Sequence, residues 1–229
     1  MTEAAHTFAV ELPAGRVDVP AIVETPEDAP WGVVAIAHGA GSGREHPFLA
    51  GLAGALCAQG LAVARFDFPY RVAGRRMPGP AAHAVAAWAS AGEWAAGLGV
   101  PWWAAGKSYG GRMASMSAAE GVIAPAGLVY LGYPLHPPGR PDKPRTAHLP
   151  AIVQPQLFLS GTADPFVQPV EQLEAAVASC RDAVLSWVDG GGHSFEVKGR
   201  KRPPAEIGAG LAPTVVAWMR EGPRPAAGE

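Results

Sequence analysis

The stretch WWAAGKSYGGRMASMSAA, residues 102–119, decides the fold. It opens with an apolar run typical of a buried strand and continues with a pattern typical of a helix. Between the two lies Ser108, with Gly106 two residues before it and Gly110 two residues after it. A serine held on so sharp a strand-to-helix turn has a strained backbone, and we expect larger side chains at the two glycine positions to collide. The stretch therefore predicts a tight turn that presents the Ser108 hydroxyl above a sheet.

Strands and helices alternate on both sides of this turn. Two short strands come first, at 7–12 and 17–23, and buried strands follow within 32–43 and at 61–68, 102–106, 127–134, 156–165 and 184–190. Helical patterns cover 46–59, 81–98, the residues after Ser108, 169–180, and a last helix that includes Ile207 and Trp218 and is expected to kink or restart at Pro213. This alternation predicts a mostly parallel sheet of about seven or eight strands, with helices on both faces.

Length and composition indicate one globular domain in a chain of 229 residues. We expect residues 1–220 to form it and residues 221–229 to be a disordered tail. The net charge of −2 favours neither nucleic acid nor a membrane surface as partner, and no apolar run approaches the ~20 residues of a membrane span. The N-terminus lacks a signal-peptide pattern, so a cytoplasmic location is expected. Cys57 and Cys180 fall in helical patterns, which favours buried thiols over a disulfide.

Candidate partners for Ser108 follow it in the chain. Asp164, in SGTADPF, and His193, in DGGGHSF, each come just after a predicted strand. The order serine, acid, histidine is that of the α/β-hydrolase triad, in which histidine accepts the serine proton and the acid fixes its tautomer. An aspartate before a proline is also a common turn former, a loop histidine is often only solvated, and Asp189 is nearer to His193 in sequence. Because parallel strands end at one edge of the sheet, we favour a triad of Ser108, Asp164 and His193.

The glycine-rich loop HGAGSG (38–43) follows the third predicted strand. In a hydrolase of this kind, such a loop donates one backbone N–H to the oxyanion that forms during reaction, and the residue after the nucleophile donates the other. We therefore expect Tyr109 and Ala40 to form the oxyanion hole, with Gly41 as the next choice for the loop donor. A glycine-rich turn with no catalytic role is the alternative.

Nucleotide-binding and metal-binding motifs are excluded at these positions. AAGKS (104–108) resembles the end of a phosphate-binding loop, which needs a glycine where Pro101 stands. GAG (39–41) would need a glycine in place of Arg44 to be a dinucleotide fingerprint. The sequence has no paired-histidine motif or cysteine cluster with ligand spacing, so we expect neither a cofactor nor a metal.

Five segments of the sequence carry a family resemblance: HGAGSG, GKSYGGR, YPLHPPGRP, LFLSGTADPF and GGHSFEVKGRK. Over residues 31–219 the sequence resembles the dienelactone-hydrolase-like branch of the α/β-hydrolases, which includes testis-expressed protein 30 and small bacterial predicted hydrolases. The resemblance implies an α/β-hydrolase core without a large cap and the triad of Ser108, Asp164 and His193, but it implies no particular substrate. Lys107 is a departure, because relatives often carry arginine there.

Other residues are expected near the same edge of the sheet, where substrate would bind: Gly41, Tyr70, Arg71, Lys107, Arg112 and His136. Lys107 flanks Ser108 and would either pair locally or meet an anionic substrate. His136 would either line the pocket or cap a turn. The basic run VKGRKR (197–202) is expected to be a solvated face.

Together these patterns favour a serine-dependent hydrolase of small esters or thioesters that works through an acyl-enzyme intermediate. The expected partner is the small-molecule substrate, and the sequence predicts no oligomeric state. A catalytically idle hydrolase fold that acts as a protein-interaction module is the alternative, and transferase or lyase chemistry with the same triad is another. The presence of Ser108, Asp164 and His193 in the expected order argues against the idle fold.

Overall fold

Eight strands form one sheet in the computed structural model, which describes residues 1–222. The strands are β1 (Thr2–Leu12), β2 (Gly15–Thr25), β3 (Gly32–Ala37), β4 (Leu61–Phe66), β5 (Trp102–Lys107), β6 (Gly127–Leu131), β7 (Gln156–Gly161) and β8 (Ala183–Val188). Their order across the sheet is β1-β2-β4-β3-β5-β6-β7-β8. β2 pairs antiparallel with β1 and β4, whereas β3 to β8 are parallel to one another. The prediction of a mostly parallel sheet of seven or eight strands is confirmed.

Helices cover both faces of this sheet. They are α1 (Pro47–Cys57), α2 (Pro69–Val72), α3 (Ala81–Ala96), α4 (Tyr109–Ala119), α5 (Glu171–Ala178) and α6 (Pro204–Glu221), with a 3₁₀ turn at Leu149–Ala151. The apolar run of β3 shows why both faces are covered. Val33 and Ala35 belong to the core layer beneath α3 and α4, whereas Val34 and Ile36 belong to the layer beneath α1 and α6. Successive side chains of a strand point to opposite faces, so a continuous apolar strand needs a helix layer on each side.

Several strands end earlier than the sequence predicted. β4 ends at Phe66 rather than 68, and β6 ends at Leu131 rather than 134. The apolar pattern continues past these points because Phe68, Tyr133 and Leu135 are buried within loops that fold back over the strand ends. β7 and β8 likewise end at Gly161 and Val188. The extra residues form the loops at the carboxyl edge of the sheet, where the candidate site lies.

The remaining expectations about the chain concern the last helix, the tail and the two cysteines. α6 is continuous through Pro213 and does not restart there. It ends at Glu221, the first residue of the predicted tail, and residues 223–229 of that tail lie outside the described residues. Cys57 is buried in α1 as expected, whereas Cys180 lies just beyond α5 and is only half-buried, and both are free thiols.

The carboxyl edge of the sheet is left open to ligands. Between β6 and β7 the chain contains only the short 3₁₀ turn, and within residues 1–222 no large cap covers the edge. Over the same residues, no helix combines the length and the apolar character needed to cross a bilayer.

Candidate active site

Ser108 lies on a strained turn between β5 and α4. Its φ of 50° and ψ of −113° are unusual for a residue with a side chain. The neighbouring glycines are required by backbone contacts. A Cβ on Gly106 would lie 2.2 Å from the N of Gly111, and one on Gly110 would lie 2.5 Å from the O of Ala37. The collisions expected from sequence are therefore with the main chain of α4 and β3.

A chain of hydrogen bonds joins Ser108, His193 and Asp164. His193 Nε2 lies 2.8 Å from Ser108 Oγ, and His193 Nδ1 lies 2.7 Å from Asp164 Oδ2. Asp164 is fully buried, and its other oxygen accepts a hydrogen bond of 2.8 Å from the Phe166 N–H. Because the carboxylate can only accept, it favours the tautomer with the proton on Nδ1. Nε2 is then free to accept the Ser108 proton.

The loop that carries His193 packs closely against the ends of β6 and β7. A Cβ on Gly161 would lie 2.0 Å from the O of Gly191, and Gly132, with φ of +68°, faces the His193 carbonyl. The alternative acid, Asp189, has a different contact: its Oδ1 accepts a hydrogen bond of 3.3 Å from the Thr162 hydroxyl. The structure thus brings Asp164, rather than Asp189, to the imidazole.

The glycine-rich loop after β3 lies against the nucleophile turn. A Cβ on Gly39 would lie 3.6 Å from the Cβ of Ser108. Within residues 1–222, neither the Ala40 N–H nor the Tyr109 N–H donates a hydrogen bond to another protein atom. Both residues line the same cavity as Ser108. Two backbone donors near the serine could therefore stabilise an oxyanion.

Buried His38 supports this loop from below. Its Nδ1 lies 2.7 Å from the O of Gly39, and its Nε2 accepts a hydrogen bond of 3.3 Å from the Phe68 N–H. These contacts require the tautomer with the proton on Nδ1. Burial lowers the pKa of His38, against the opposing charge of Asp67, so the ring remains neutral near neutral pH.

A cavity of about 630 Å³ opens in front of Ser108 and His193. Its apolar wall consists of Phe48, Leu49, Met77, Pro78, Pro134 and Phe166, and its basic side chains are His46, Lys107, Arg112 and Arg145. No aspartate or glutamate is present among the described residues that line it. Burial and then the charge of Lys107 lower the pKa of His46, which favours a neutral imidazole.

Arg112 and Arg145 supply positive charge to this cavity without an acidic partner in the described chain. Arg112 lies one helical turn after Ser108, and its buried Nε has no hydrogen-bond partner among the described residues. The main chain of Arg145 is held on both sides: its N–H donates to the O of Leu135 at 2.7 Å, and its O accepts from the Tyr133 hydroxyl at 2.8 Å. Burial and then the charge of Arg112 lower the pKa of Arg145.

Of the substrate-binding candidates from the sequence, Lys107 and Arg112 line the cavity, as do the oxyanion candidates Ala40 and Tyr109. Gly41, Tyr70, Arg71 and His136 are missing from the described lining. The ring of Tyr70 packs against Phe68 beneath the glycine-rich loop, and Arg71 is exposed beside Gly43. His136 is fully buried, with its Nδ1 2.8 Å from the O of Pro137, because its loop folds inward beyond β6.

Several residues of the cavity were missed in the sequence, and the three with the most direct bearing on the site are His46, Arg145 and Phe166. His46 is the N-cap of α1, where its Nδ1 accepts a hydrogen bond of 3.2 Å from the Phe48 N–H, and its place after the glycine-rich loop was an available signal. Phe166 stacks on His193 with ring centroids 4.2 Å apart. Arg145 lies in the irregular segment before β7, where no local pattern indicates its direction.

Comparison with known proteins gives the family and the fold. The family model described as "Alpha/beta hydrolase domain" matches residues 31–208. This chain belongs to the α/β hydrolase family. Among the described residues of the α/β hydrolase, no group of three or more His, Cys, Asp or Glu side chains is arranged to hold a metal ion.

Solved structures share the fold of this α/β hydrolase. A dienelactone hydrolase from Anabaena variabilis is 23% identical with a TM-score of 0.69, and the match covers 96% of this chain and 99% of the other. A serine hydrolase without a lid from Xanthomonas campestris is 21% identical with a TM-score of 0.70, and the match covers 98% and 97%. The esterase domain of a Rhodothermus marinus protein is 18% identical with a TM-score of 0.71, over 97% and 99%. At these identities the likeness shows the fold.

Proposed function

We propose that this α/β hydrolase is a serine hydrolase of small esters or thioesters, with Ser108 as nucleophile, His193 as general base and Asp164 as its orienting acid. The observation that carries the proposal is the hydrogen-bond chain from Asp164 through His193 to Ser108, with distances of 2.7 Å and 2.8 Å. A strained serine, a histidine in reach of its hydroxyl and a buried carboxylate behind the histidine are the parts that acyl transfer needs.

The reaction would proceed in two halves. Ser108 Oγ attacks the acyl carbonyl while His193 Nε2 takes its proton, and the negative oxygen of the tetrahedral intermediate accepts hydrogen bonds from the N–H groups of Tyr109 and Ala40. His193 then returns the proton to the departing alcohol or thiol, which leaves an acyl ester on Ser108. The same imidazole then takes a proton from a water molecule that attacks the acyl carbonyl. It passes this proton to Ser108 Oγ as the bond between Oγ and the acyl carbon breaks, which releases the carboxylic acid and regenerates the serine.

The cavity supports small substrates with an anionic group. Its volume of about 630 Å³ suits a compact ligand. The guanidinium groups of Arg112 and Arg145 face no carboxylate in the described lining, so an anionic oxygen group of the substrate would meet two unpaired cations. We therefore propose a preference for small esters that also carry a carboxylate.

The experiment that tests the nucleophile is covalent labelling with a fluorophosphonate probe, read by intact mass. We expect one adduct on the native protein, located on Ser108 by peptide mapping, and none on heat-denatured protein or on Ser108→Ala. The idle-scaffold alternative predicts no adduct on the native protein. An adduct that survives Ser108→Ala would assign the reactivity to another residue.

A further inference from the structure

Lys107 ends β5 directly before Ser108, yet its side chain reaches the loop that carries His193. Lys107 Nζ donates a hydrogen bond of 2.8 Å to the backbone O of His193. A Cβ on Gly132 would lie 3.3 Å from that Nζ and 2.9 Å from that oxygen. The absence of a side chain at position 132 therefore leaves room for the contact between the lysine and the histidine main chain.

The contact with Lys107 fixes the carbonyl of His193, which the hydrogen bonds of the surrounding turn do not use. The Gly192 N–H donates to the O of Glu196 at 2.9 Å, and the Phe195 N–H donates to the O of Gly192 at 3.0 Å. These bonds close the turn around His193 without using its carbonyl. Among the described residues, the donor that reaches the His193 carbonyl is Lys107.

The surroundings of Lys107 favour a hydrogen-bonding role between two loops over a role in proton transfer with Ser108. Burial lowers the pKa of Lys107 to about 8, while the charges of Asp164 and Glu196 act to raise it. Both the ammonium and the neutral amine can donate to a carbonyl oxygen. The general-base position next to Ser108 Oγ is already occupied by His193 Nε2 at 2.8 Å.

We propose that Lys107 is a positioning residue, which ties the histidine loop to the nucleophile turn and so holds the His193 imidazole within hydrogen-bond distance of Ser108. The role rests on the serine-hydrolase function proposed above. Because Lys107 is covalently next to Ser108, a movement of the nucleophile turn carries the histidine main chain with it. A reacting group displaced by about 1 Å can cost roughly a hundredfold in rate.

Kinetics of three variants test this role. Lys107→Met keeps a stem of similar length but removes the donor, Lys107→Arg keeps donors, and Lys198→Met removes an exposed lysine from the segment after His193. With 4-nitrophenyl acetate, we expect Lys107→Met to lower kcat by about 10- to 100-fold with little change in KM. Lys107→Arg should keep most of the activity, and Lys198→Met should behave as the wild type. Circular dichroism checks that each variant is folded.

Proton NMR of the imidazole supplies a measurement that does not depend on turnover. The proton shared by His193 Nδ1 and Asp164 Oδ2 is expected to give a resonance far downfield, assigned by its loss in His193→Gln. In Lys107→Met this resonance should shift or broaden, because the imidazole is no longer held in one position. It should remain unchanged in Lys107→Arg and in Lys198→Met.

The two measurements separate the two proposals. If the wild-type protein cleaves no ester and takes no fluorophosphonate label, the serine-hydrolase function is wrong, and the NMR comparison still decides whether Lys107 positions His193. If the wild type is active and folded Lys107→Met keeps its kcat and its downfield resonance, the positioning role is overturned. A loss of kcat with an unchanged resonance in Lys107→Met also overturns it.

Discussion

The nucleophile turn (106–111) and the irregular segment before β7 (132–155) both contribute to the cavity, but they are positioned in different ways. The turn is fixed by its own glycines, which touch the main chain of α4 and β3 at distances that exclude any Cβ. The segment is fixed by contacts with residues on other elements, such as the 2.7 Å contact between His148 Nε2 and the Ser115 hydroxyl of α4. A turn that excludes side chains leaves a glycine pattern in the sequence, whereas a segment held by distant contacts leaves none.

The largest expected effect tests which aspartate orients His193: Asp189, which is nearer in sequence, or Asp164, which is hydrogen-bonded to the ring. Asp164→Asn should keep the fold but favour the wrong imidazole tautomer, which costs up to ~10⁴ in kcat in the serine-protease template. Asp189→Asn should cost about tenfold at most, because Asp189 contacts Thr162 rather than His193. The measurement is kcat/KM of both variants on one activated ester, with circular dichroism as the folding control. A larger loss in Asp189→Asn would move the acid to the end of β8.

A pair of glycine substitutions compares the two regions directly. In Gly110→Ala the new Cβ would lie 2.5 Å from the O of Ala37, so the overpacked turn should lose about 3 kcal/mol of stability. In Gly139→Ala the Cβ meets no atom within 4 Å, and only the left-handed backbone (φ +70°) costs about 1 kcal/mol. For a chain of this size, Tm should fall by roughly 6–12 °C and 2–4 °C respectively. Equal shifts in the two variants would show that the turn relaxes around a methyl group.

The charge that the segment brings to the cavity is tested by a pair of esters of similar length. The ratio of kcat/KM for mono-4-nitrophenyl succinate to that for 4-nitrophenyl butyrate measures the preference for a carboxylate. In Arg145→Gln this ratio should fall by about tenfold or more, because a charge-assisted hydrogen bond is lost. Lys143→Met removes an exposed positive charge from the same segment and should leave the ratio unchanged. An equal fall in both variants would indicate a general electrostatic effect instead of a binding site.

These regions also show how far the sequence leads. The strands, the nucleophile turn and the order of Ser108, Asp164 and His193 follow from local patterns and from the rule that parallel strands end at one edge. The direction of Arg112 was available from its helical spacing to Ser108. The position of His136 was not accessible in this way, because an apolar run does not reveal where a strand ends and its buried loop begins. Arg145 lies in an irregular segment without any periodic pattern. Long-range contacts then decide which of the two side chains reaches the cavity.

The smallest expected effect is a loss of folding stability in acid, which arises from His148 in the segment 132–155. The Ser115 hydroxyl donates to the O of Arg112 at 2.7 Å, so it accepts from the neutral His148 ring, whose Nε2 carries the proton. Burial and then the charge of Arg112 lower the pKa of His148 from 6.5 to about 4. The unfolded chain therefore binds a proton before the folded chain does as pH falls. The contribution of His148 to stability is complete above pH 6.5 and is lost progressively towards pH 4.

Each pKa unit corresponds to about 1.4 kcal/mol, and with a discount for partial exposure we expect a loss of about 2 kcal/mol over this range. His148→Gln keeps an amide donor for Ser115 but does not titrate, so its stability should fall less steeply with acid. The measurement is the urea-unfolding free energy of both proteins from pH 7 to pH 4. Hydrogen exchange should show the amide of Arg145 opening in acid before the amides of α4 that follow Ser108, because burial and the charge of Arg112 disfavour the protonated His148 ring in the segment, whereas the glycine contacts of the turn contain no titrating group. If the free energies of unfolding of the wild type and of His148→Gln fall in parallel with pH, protonation of His148 is not the cause of the acid-dependent loss of stability.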